Sequence, residues 1–232
     1  EQIDYDRVLT LAFHASAIMD VFPDKAVKYN RISAEQSYLK GMTSKALELY
    51  LNALNGTKIL GCKTNLKVLL DLYISYSKCL LDAQKDPTEA LSILDEANES
   101  LIEGNHSNIP EVELSWIENE IMTLRALACY RLRRFDESLS YSEKVLSSKF
   151  ACLVQICRAE FYQAASFAPN EIDRRKTAHL KVLKDIDLAI KTKELKDSIR
   201  IELLKVKSET LNNLGFIFLF GLKEPINALP YF

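Results

Sequence analysis

The sequence predicts an all-α protein, a right-handed α-solenoid of about 10–11 helices packed as antiparallel hairpins. Apolar residues recur at the 3.6-residue spacing of amphipathic helices along the chain, and no strand-like alternation persists outside these segments. Only six Gly and six Pro occur in 232 residues, which suits long helices with short connections. A pattern of small and large residues also returns at spacings of 44 and 48 residues, as in stacked helical hairpins.

Turn residues divide the chain into these helices. Asn55-Gly56 is a predicted helix end, because both residues tolerate left-handed dihedral angles. Asp86-Pro87-Thr88-Glu89 is the clearest helix start: Asp86 can cap the helix, and Glu89 can reach back to complete a capping box. We therefore expect helices at about residues 4–20, 25–40, 43–54, 64–84, 87–104, 150–168, 171–193 and 197–221, two more within 110–148, and a last one from 224.

The second helix of each hairpin carries the repeated pattern. Ala46, Tyr50 and Ala53 correspond to Ala90, Leu94 and Ala97, and the pattern returns from Ser138 to Leu146 and begins again from Ala228 to Phe232. A small residue lets the partner helix pass closely, and a large residue four positions on fills the gap one turn away. These positions predict a single array over residues 1–232, with hairpins near 25–58, 64–104, 110–148, 150–193 and 197–232.

These residues resemble the tetratricopeptide-repeat superfamily. The first-helix Leu-Gly pair of that family is present as Leu214-Gly215, and Ala126 stands at the position of the glycine in the hairpin of Thr123–Leu146. Because the unit exceeds the usual ~34 residues, the resemblance is to the long-helix, degenerate repeats of subunits in large eukaryotic assemblies. It implies a groove, lined by the first helices, that holds an extended or helical peptide of a partner protein.

No catalytic or metal-binding motif is present. The formal charge is -2, and the chain contains no glycine-rich phosphate loop, no His-Glu-x-x-His and no Gly-x-Ser-x-Gly. His14 lies on an apolar face and is expected to be a packed core residue. Cys152 and Cys157 are roughly 140° apart around a helix, which makes a poor metal pair. We therefore expect no enzyme, no cofactor and no small-molecule substrate.

The remaining expectation is a protein–protein interaction scaffold or adaptor, a subunit or segment of a larger assembly. The carboxylate clamp of co-chaperone relatives is not expected, because Arg31, Glu35, Thr123 and Leu127 occupy the corresponding positions and Glu35 would repel a carboxylate. Aromatic side chains that could anchor a partner, each equally plausible as core, are Tyr38, Tyr73, Tyr76, Trp116 and Tyr130.

Residues 173–207 form a basic strip with eleven Lys and Arg side chains against six acids. Such a strip could meet an acidic partner, a phosphopeptide or nucleic acid, although no aromatic residue within it could stack on a base. An ordinary solvated helix surface is the simpler interpretation. Two alternatives to the scaffold remain open, a nucleic-acid-contacting solenoid and a regulatory or targeting domain of a longer enzyme. The candidate binding residues of the strip are Arg174, Arg175, Lys176 and Lys181.

The sequence also predicts an intracellular protein of the cytoplasm or nucleus. No signal peptide is visible, and the apolar run Leu214–Leu222 is far shorter than the roughly 20 residues that span a bilayer. The five cysteines lie in apolar helical segments and are expected to be buried thiols. Phe216–Phe220 is apolar around the whole helix and should be buried on every side, unless the array lacks its next helix. Because the last repeat stops in mid-pattern, we expect a segment of a longer solenoid.

Overall fold

The computed structural model of the chain describes residues 5–104, 106–192 and 194–231, apart from the side chain of Cys62. All regular secondary structure within these ranges is helical. The predicted all-α class is therefore confirmed. The expectations for residues 1–4, for the Cys62 thiol, for Lys193 in the basic strip and for Phe232 in the repeat lie outside the described residues.

The described chain contains eleven α-helices joined by short connections. A 3₁₀ turn at Gly61–Lys63 follows the third helix, a π-helical turn at Ile217–Gly221 follows the tenth, and a second 3₁₀ turn covers Leu229–Tyr231. The helices are α1 (Tyr5–Ala17), α2 (Pro23–Leu39), α3 (Thr43–Leu60), α4 (Leu66–Asp82), α5 (Pro87–Glu103), α6 (Glu111–Arg131), α7 (Phe135–Ser147), α8 (Leu153–Ser166), α9 (Ile172–Thr192), α10 (Asp197–Phe216) and α11 (Pro225–Ala228).

The helices form two compact units, Glu1–Leu124 and Arg125–Phe232, with the boundary inside α6. In the first unit α2 packs against α1 and α3, α3 against α4, and α4 against α5. In the second unit α8 packs against α7, α9 and α10, and α9 packs against α10. Within each unit, consecutive helices therefore pack against one another, as in an α-solenoid.

The small residues of the repeat pattern lie at buried helix contacts. Ala46, Ala53, Ala90 and Ala97 are fully buried, together with the larger Tyr50 and Leu94 of the same pattern. Ser138 plays the equivalent part in the second unit, where its hydroxyl donates to the backbone carbonyl of Ala126 at 2.9 Å. At these small positions, a side chain larger than alanine or serine would separate the paired helices.

Polar contacts join residues that lie one repeat apart. The Tyr38 hydroxyl donates to the Asp82 carboxylate, 44 residues further along the chain. Lys67 pairs with Glu113 at a separation of 46 residues. In the second unit, Arg158 of α8 pairs with Glu202 of α10 at a separation of 44. Equivalent positions of successive repeats become neighbours when the repeats stack, so the period in space matches the period along the chain.

The predicted helix end at Asn55-Gly56 is wrong, because α3 continues to Leu60. Gly56 lies within the helix, where an added Cβ would come within 2.8 Å of Val27 Cγ2 and 3.3 Å of the Pro23 carbonyl oxygen. The glycine therefore permits the close approach of α2 rather than a turn. The helix ends instead at Gly61, whose φ of 54° with ψ of -129° suits a residue without a side chain.

Two other local predictions need correction. Asp86 caps α5 as expected, with its side chain accepting from the Thr88 amide at 2.8 Å. Glu89 does not complete the capping box, since its carboxylate accepts a hydrogen bond from the Tyr76 hydroxyl of α4 at 2.7 Å. His14 is exposed against the ring of Phe13 rather than packed in the core, because the buried side of α1 is formed by Val8, Ala12 and Ala15.

The apolar run Phe216–Phe220 is only partly buried, contrary to the expectation that it is covered on every side. Ile217 is buried, whereas Phe216 and Phe220 are exposed and stack on each other with ring centroids 5.8 Å apart. The run leaves α-helical geometry at Ile217, and the four-residue helix α11 packs against one side of the resulting π turn. One short helix is too small to enclose both rings.

Candidate functional site

A row of charged and phenolic side chains crosses three first helices in the first unit. Residues three and four apart share one side of a helix, so Arg31, Glu35 and Tyr38 lie along one side of α2. On α4, Lys67 and Asp71 are four residues apart, and Asp82 follows eleven residues, or about three turns, later on nearly the same side. We call this row the α2–α4–α6 face, and its members are Arg31, Glu35, Tyr38, Lys67, Asp71, Asp82 and Glu113.

Side-chain contacts tie the row together within each helix and between helices. Arg31 Nε lies 3.8 Å from Glu35 Oε1, and both side chains are partly exposed. Lys67 pairs with Glu113 of α6, and this hydrogen bond raises the pKa of the Lys67 ammonium. Together with the Tyr38–Asp82 hydrogen bond described above, these pairs give the α2–α4–α6 face a defined order of charges.

Two carboxyl groups in the row are held in surroundings that disfavour their charge. Partial burial raises the pKa of Glu35, and the nearby Asp71 adds to the increase while Arg31 opposes it. Partial burial likewise raises the pKa of Asp71, against the opposing effects of Lys67 and Arg31. Carboxylates kept where their charge costs free energy are typical of functional sites, because packing alone does not require them.

The layer beneath the row is neutral. Tyr50 of α3 is buried next to Glu35, and burial followed by that negative charge raises the pKa of its phenol well above the usual value. The phenol forms a hydrogen bond with Ser75 of α4. Among the described residues, Arg31 is the cation whose charge favours the ionised form of Glu35.

Replacing Asp71 with Asn should stabilise the protein slightly at pH 7, by less than ~1 kcal/mol after screening by solvent. The folded state holds the Asp71 proton more firmly than the unfolded state does, so the carboxylate costs stability once the pH exceeds the ordinary carboxyl range. Urea unfolding at pH 7 and pH 4 checks this, because the gain should shrink at the lower pH. Asp20→Asn at an exposed position is the matched control, and a clear loss of stability in Asp71→Asn would contradict the unfavourable surroundings inferred here.

Two of the predicted aromatic anchors border the α2–α4–α6 face. Tyr38 belongs to it, and its ring is partly buried while its hydroxyl contacts Asp82. Trp116 is exposed on α6, three residues after Glu113 and therefore on the same side of that helix. Of the five aromatic candidates, these two are the ones that lie at the α2–α4–α6 face.

The other three aromatic candidates lie elsewhere. Tyr73 and Tyr76 are buried where α4 packs on α5, with the Tyr73 hydroxyl 3.2 Å from Glu96 Oε2. Burial raises the pKa of Tyr73 to about 12, so its phenol stays neutral. Tyr130 belongs to the second unit, where its ring packs near those of Phe135 and Tyr162 at centroid distances of 6.2 and 6.4 Å.

Three of the four basic candidates of the strip form ion pairs within the second unit. Arg174 pairs with Glu171 at 2.8 Å and lies 3.9 Å from the centroid of the Phe167 ring. Lys176 approaches Asp173 at 3.7 Å, and Lys181 pairs with Glu160 of α8. The fourth, Arg175, is half-buried and its charge lies close enough to the buried His179 to lower the pKa of that ring.

Two open cavities in the first unit are lined by groups that already bond within the protein. One, of about 620 Å³, lies between α1, α2 and α3. There Asn30 donates to the Ser16 hydroxyl at 2.9 Å, and Lys45 pairs with Glu48 at 2.9 Å. The other, of about 670 Å³, lies between the start of α4 and the end of α5, and the Thr64 hydroxyl on its wall donates to the Thr57 carbonyl at 3.1 Å.

Two buried thiols, Cys79 and Cys157, lack the features of reactive cysteines. Burial raises the pKa of Cys79 to about 11 and that of Cys157 to about 12, so neither is a thiolate at neutral pH. Among the residues that the structure describes, no three His, Cys, Asp or Glu side chains are grouped so as to hold a metal ion. In the same residues, no helix combines the length and apolar character needed to cross a membrane.

A scan against models of protein families, a search of curated proteins and a search of solved structures each find no match for the chain. The repeat spacing and the order of charges on the α2–α4–α6 face are therefore the observations from which a function can be argued. The α2–α4–α6 face belongs to the first unit, whereas the repeat spacing is present in both units.

Proposed function

We propose that the chain is a non-catalytic, tetratricopeptide-like scaffold that binds a segment of a partner protein on the α2–α4–α6 face. The observation that supports this most directly is the continuous row of charged groups supplied by three successive first helices. In the family that the sequence resembles, the first helices line the peptide-binding groove. We propose further that the protein acts inside the cell, in the cytoplasm or nucleus, as part of a larger assembly.

The dimensions of the row suit a polypeptide. Helices that pack directly lie about 8–10 Å apart, and α3 packs against both α2 and α4, so a row across three first helices is at least roughly 20 Å long. An extended chain advances about 3.3 Å per residue, and about six or more residues would therefore cross the α2–α4–α6 face. Such a segment would meet a charged or phenolic side chain every two to three residues.

The charges of the row indicate what the segment should carry. Its centre contains three carboxylates, Glu35, Asp71 and Glu113, against the two cations Arg31 and Lys67. A lysine or arginine of the partner placed between Glu35 and Asp71 would relieve their repulsion and form charge-assisted hydrogen bonds. A positive charge of the partner would also act like Arg31 and Lys67, which favour the ionised forms of these two carboxyl groups.

In the alternative of a regulatory or targeting domain, the chain would belong to a longer enzyme. It would bind its partner through the same α2–α4–α6 face. The nucleic-acid alternative has less support, because Arg174, Lys176 and Lys181 already contact carboxylates within their own unit. Phosphate binding by those side chains would have to break these ion pairs.

A pull-down with paired baits tests the proposal. The wild-type chain and the double variant Glu35→Gln/Asp71→Asn are each exposed to nuclease-treated cell extract, eluted with a salt series and compared by mass spectrometry. We expect a partner protein that binds the wild type and is depleted about tenfold or more on the variant. The variant should remain folded, because both substitutions remove charges that the folded state disfavours. Asp20→Asn/Glu99→Gln, which removes two exposed carboxylates elsewhere, is the matched control.

Two results would count against the α2–α4–α6 face. A partner retained equally by the double variant and the control would place binding on another surface. Material that is lost on nuclease treatment and eluted at low salt would instead favour the nucleic-acid alternative, since phosphate contacts weaken steeply with ionic strength.

A further inference from the structure

Exposed aliphatic side chains on α9 and α10 lie outside the core of the second unit. Leu188, Ile201 and Leu204 are 57%, 54% and 47% exposed. The core of this unit is already filled from the same two helices, by Val182 and Ile186 of α9 and by the buried aliphatic residues of α10. The exposed aliphatics are therefore not required for packing within the unit.

Four exposed cations lie on the same two helices and in the connection between them. Lys184, Lys191, Lys196 and Arg200 are exposed, and none of them lies within ion-pair distance of a carboxylate in the described residues. They differ from Lys205 and Lys207 of the same helix pair, which contact Glu202 at 3.1 Å and Asp187 at 2.6 Å. These four cations lie between Lys184 and Arg200, on the C-terminal side of the four residues that the sequence singled out.

The spacing places aliphatic and cationic side chains in common rows. Lys184, Leu188 and Lys191 follow one another at four and three residues and share one side of α9. Arg200 and Leu204 are four residues apart on α10. The two helices pack together, and the Asp187–Lys207 ion pair joins them beside Leu188 and Leu204. We call these residues the α9–α10 surface: Lys184, Leu188, Lys191, Lys196, Arg200, Ile201 and Leu204.

We propose that the α9–α10 surface docks an acidic amphipathic helix of a partner protein. Its apolar side would cover Leu188, Ile201 and Leu204, and its flanking Asp and Glu side chains would pair with the four available cations. Charge complementarity favours this kind of partner. The apolar side chains of the α9–α10 surface are accompanied on both helices by Lys and Arg without an ion pair in the described residues. A helix with a Leu-rich side and acidic residues along both of its edges has the matching pattern. This surface is independent of the α2–α4–α6 face.

Nucleic acid and anionic membrane fit the same surface less well. No aromatic residue occurs between 173 and 207 to stack on a base, and exposed aliphatics offer nothing to a phosphate. Glu194 and Asp197 are exposed among the cations and would repel phosphates and anionic lipid headgroups. A protein helix can place a Lys or Arg opposite these two acids.

Fluorescence anisotropy with two labelled probes tests this inference. Both probes are peptides of about 18 residues with the same Leu, Ala and Glu content, one with Leu at helical spacing and one shuffled so that no apolar face forms. At physiological salt we expect the ordered peptide to bind at least about tenfold more tightly than the shuffled one. Lys184→Glu/Lys191→Glu and Leu188→Ser/Leu204→Ser should each weaken its binding by about tenfold or more, whereas the control Lys58→Glu/Lys63→Glu in the first unit should leave it within about twofold.

All substituted side chains are exposed, so the melting curves of these variants should match that of the wild type. If the charge-reversal variant Lys184→Glu/Lys191→Glu lowers the melting temperature, the milder Lys184→Gln/Lys191→Gln gives a second measurement of the charge effect on binding. Equal binding of ordered and shuffled peptides would overturn the inference, since it would show unspecific attraction of acids. Tighter binding of single-stranded nucleic acid or of phosphatidylserine vesicles than of the ordered peptide would overturn it too. Either result would leave the α2–α4–α6 proposal standing, because the variants and probes do not overlap.

Discussion

Lowering the pH from 7 to 4 is expected to reduce the free energy of unfolding by roughly 3 kcal/mol through His179 alone. The His179 side chain is 0% exposed. Burial lowers its pKa from 6.5 to about 4, and the charge of Arg175 one turn earlier acts in the same direction. No other charged group contributes to this shift.

The sign of the effect follows from which state binds the proton. Between pH 6.5 and about 4 the unfolded chain protonates His179 while the folded chain keeps the ring neutral. Stability is therefore complete above pH 6.5 and is lost progressively as the pH falls through this range. Neither ring nitrogen has a hydrogen-bond partner in the described structure, and the neighbouring Phe161 ring lies 5.6 Å away between centroids. A protonated ring would have no acceptor to compensate its charge.

Urea unfolding of His179→Phe at pH 7, 6 and 5 measures this contribution. The substitution keeps a ring of similar size and removes two polar atoms that bond to nothing, so stability at pH 7 should be retained. The decrease between pH 7 and pH 5 should become clearly smaller than in the wild type. His14→Gln is the control, because His14 is exposed and its loss should leave the pH dependence unchanged. An unaltered decrease in His179→Phe would contradict the assignment.

The helices and the repeat positions could be predicted because their signals are local. Ala46, Ala90 and Ser138 show their role by composition and spacing alone: a small residue at a fixed place in an amphipathic helix has to face another helix. The start of α5 was equally readable, since Asp86 and Pro87 act within one turn of each other.

The errors all concern contacts between helices. Gly56 looks like a helix end until the approach of Val27 is known, and that approach depends on how α2 lies across α3. Glu89 has the spacing of a capping-box residue, but its carboxylate accepts a hydrogen bond from the Tyr76 hydroxyl of α4 instead. Tyr76 lies 13 residues away in the chain, so the local sequence around Glu89 does not reveal this contact. His14 and His179 both lie on helices with apolar positions, and only the packing of their neighbours distinguishes exposed from buried.

Part of the charged row of the candidate site could be predicted from the sequence. Arg31 and Glu35 were identified as groove positions, yet only to exclude a carboxylate clamp. The separations of 44 and 46 residues in the Tyr38–Asp82 and Lys67–Glu113 contacts match the repeat spacing, so aligning charged residues at that spacing would have found the row. The pairing of Lys181 with Glu160 follows no repeat spacing and needed the packing of α8 on α9.

Ala90→Leu is expected to destabilise the protein by roughly 1–3 kcal/mol through overpacking. Ala90 is fully buried in α5, and the Ser77 hydroxyl of α4 reaches its carbonyl oxygen at 3.5 Å. The Ser77 side chain of α4 therefore reaches the α5 backbone at Ala90, and three additional carbon atoms there would have to displace atoms of the neighbouring helix. Since both helices are packed along their length, the strain cannot be relieved by moving one side chain.

Thermal and urea unfolding of Ala90→Leu should show a lower melting temperature and a lower midpoint than the wild type. Ser92→Leu introduces the same side chain two positions further on, at an exposed site of the same helix, and should change stability by less than about 0.5 kcal/mol. Helix propensity changes by only a few tenths of a kcal/mol in either variant, as a small loss in Ala90→Leu and a small gain in Ser92→Leu. A difference of about 1 kcal/mol or more between them therefore reports helix packing. Equal stability of both variants would show that α4 and α5 are further apart at Ala90 than the repeat register requires, and the stacking of the hairpins would then have to be reassigned.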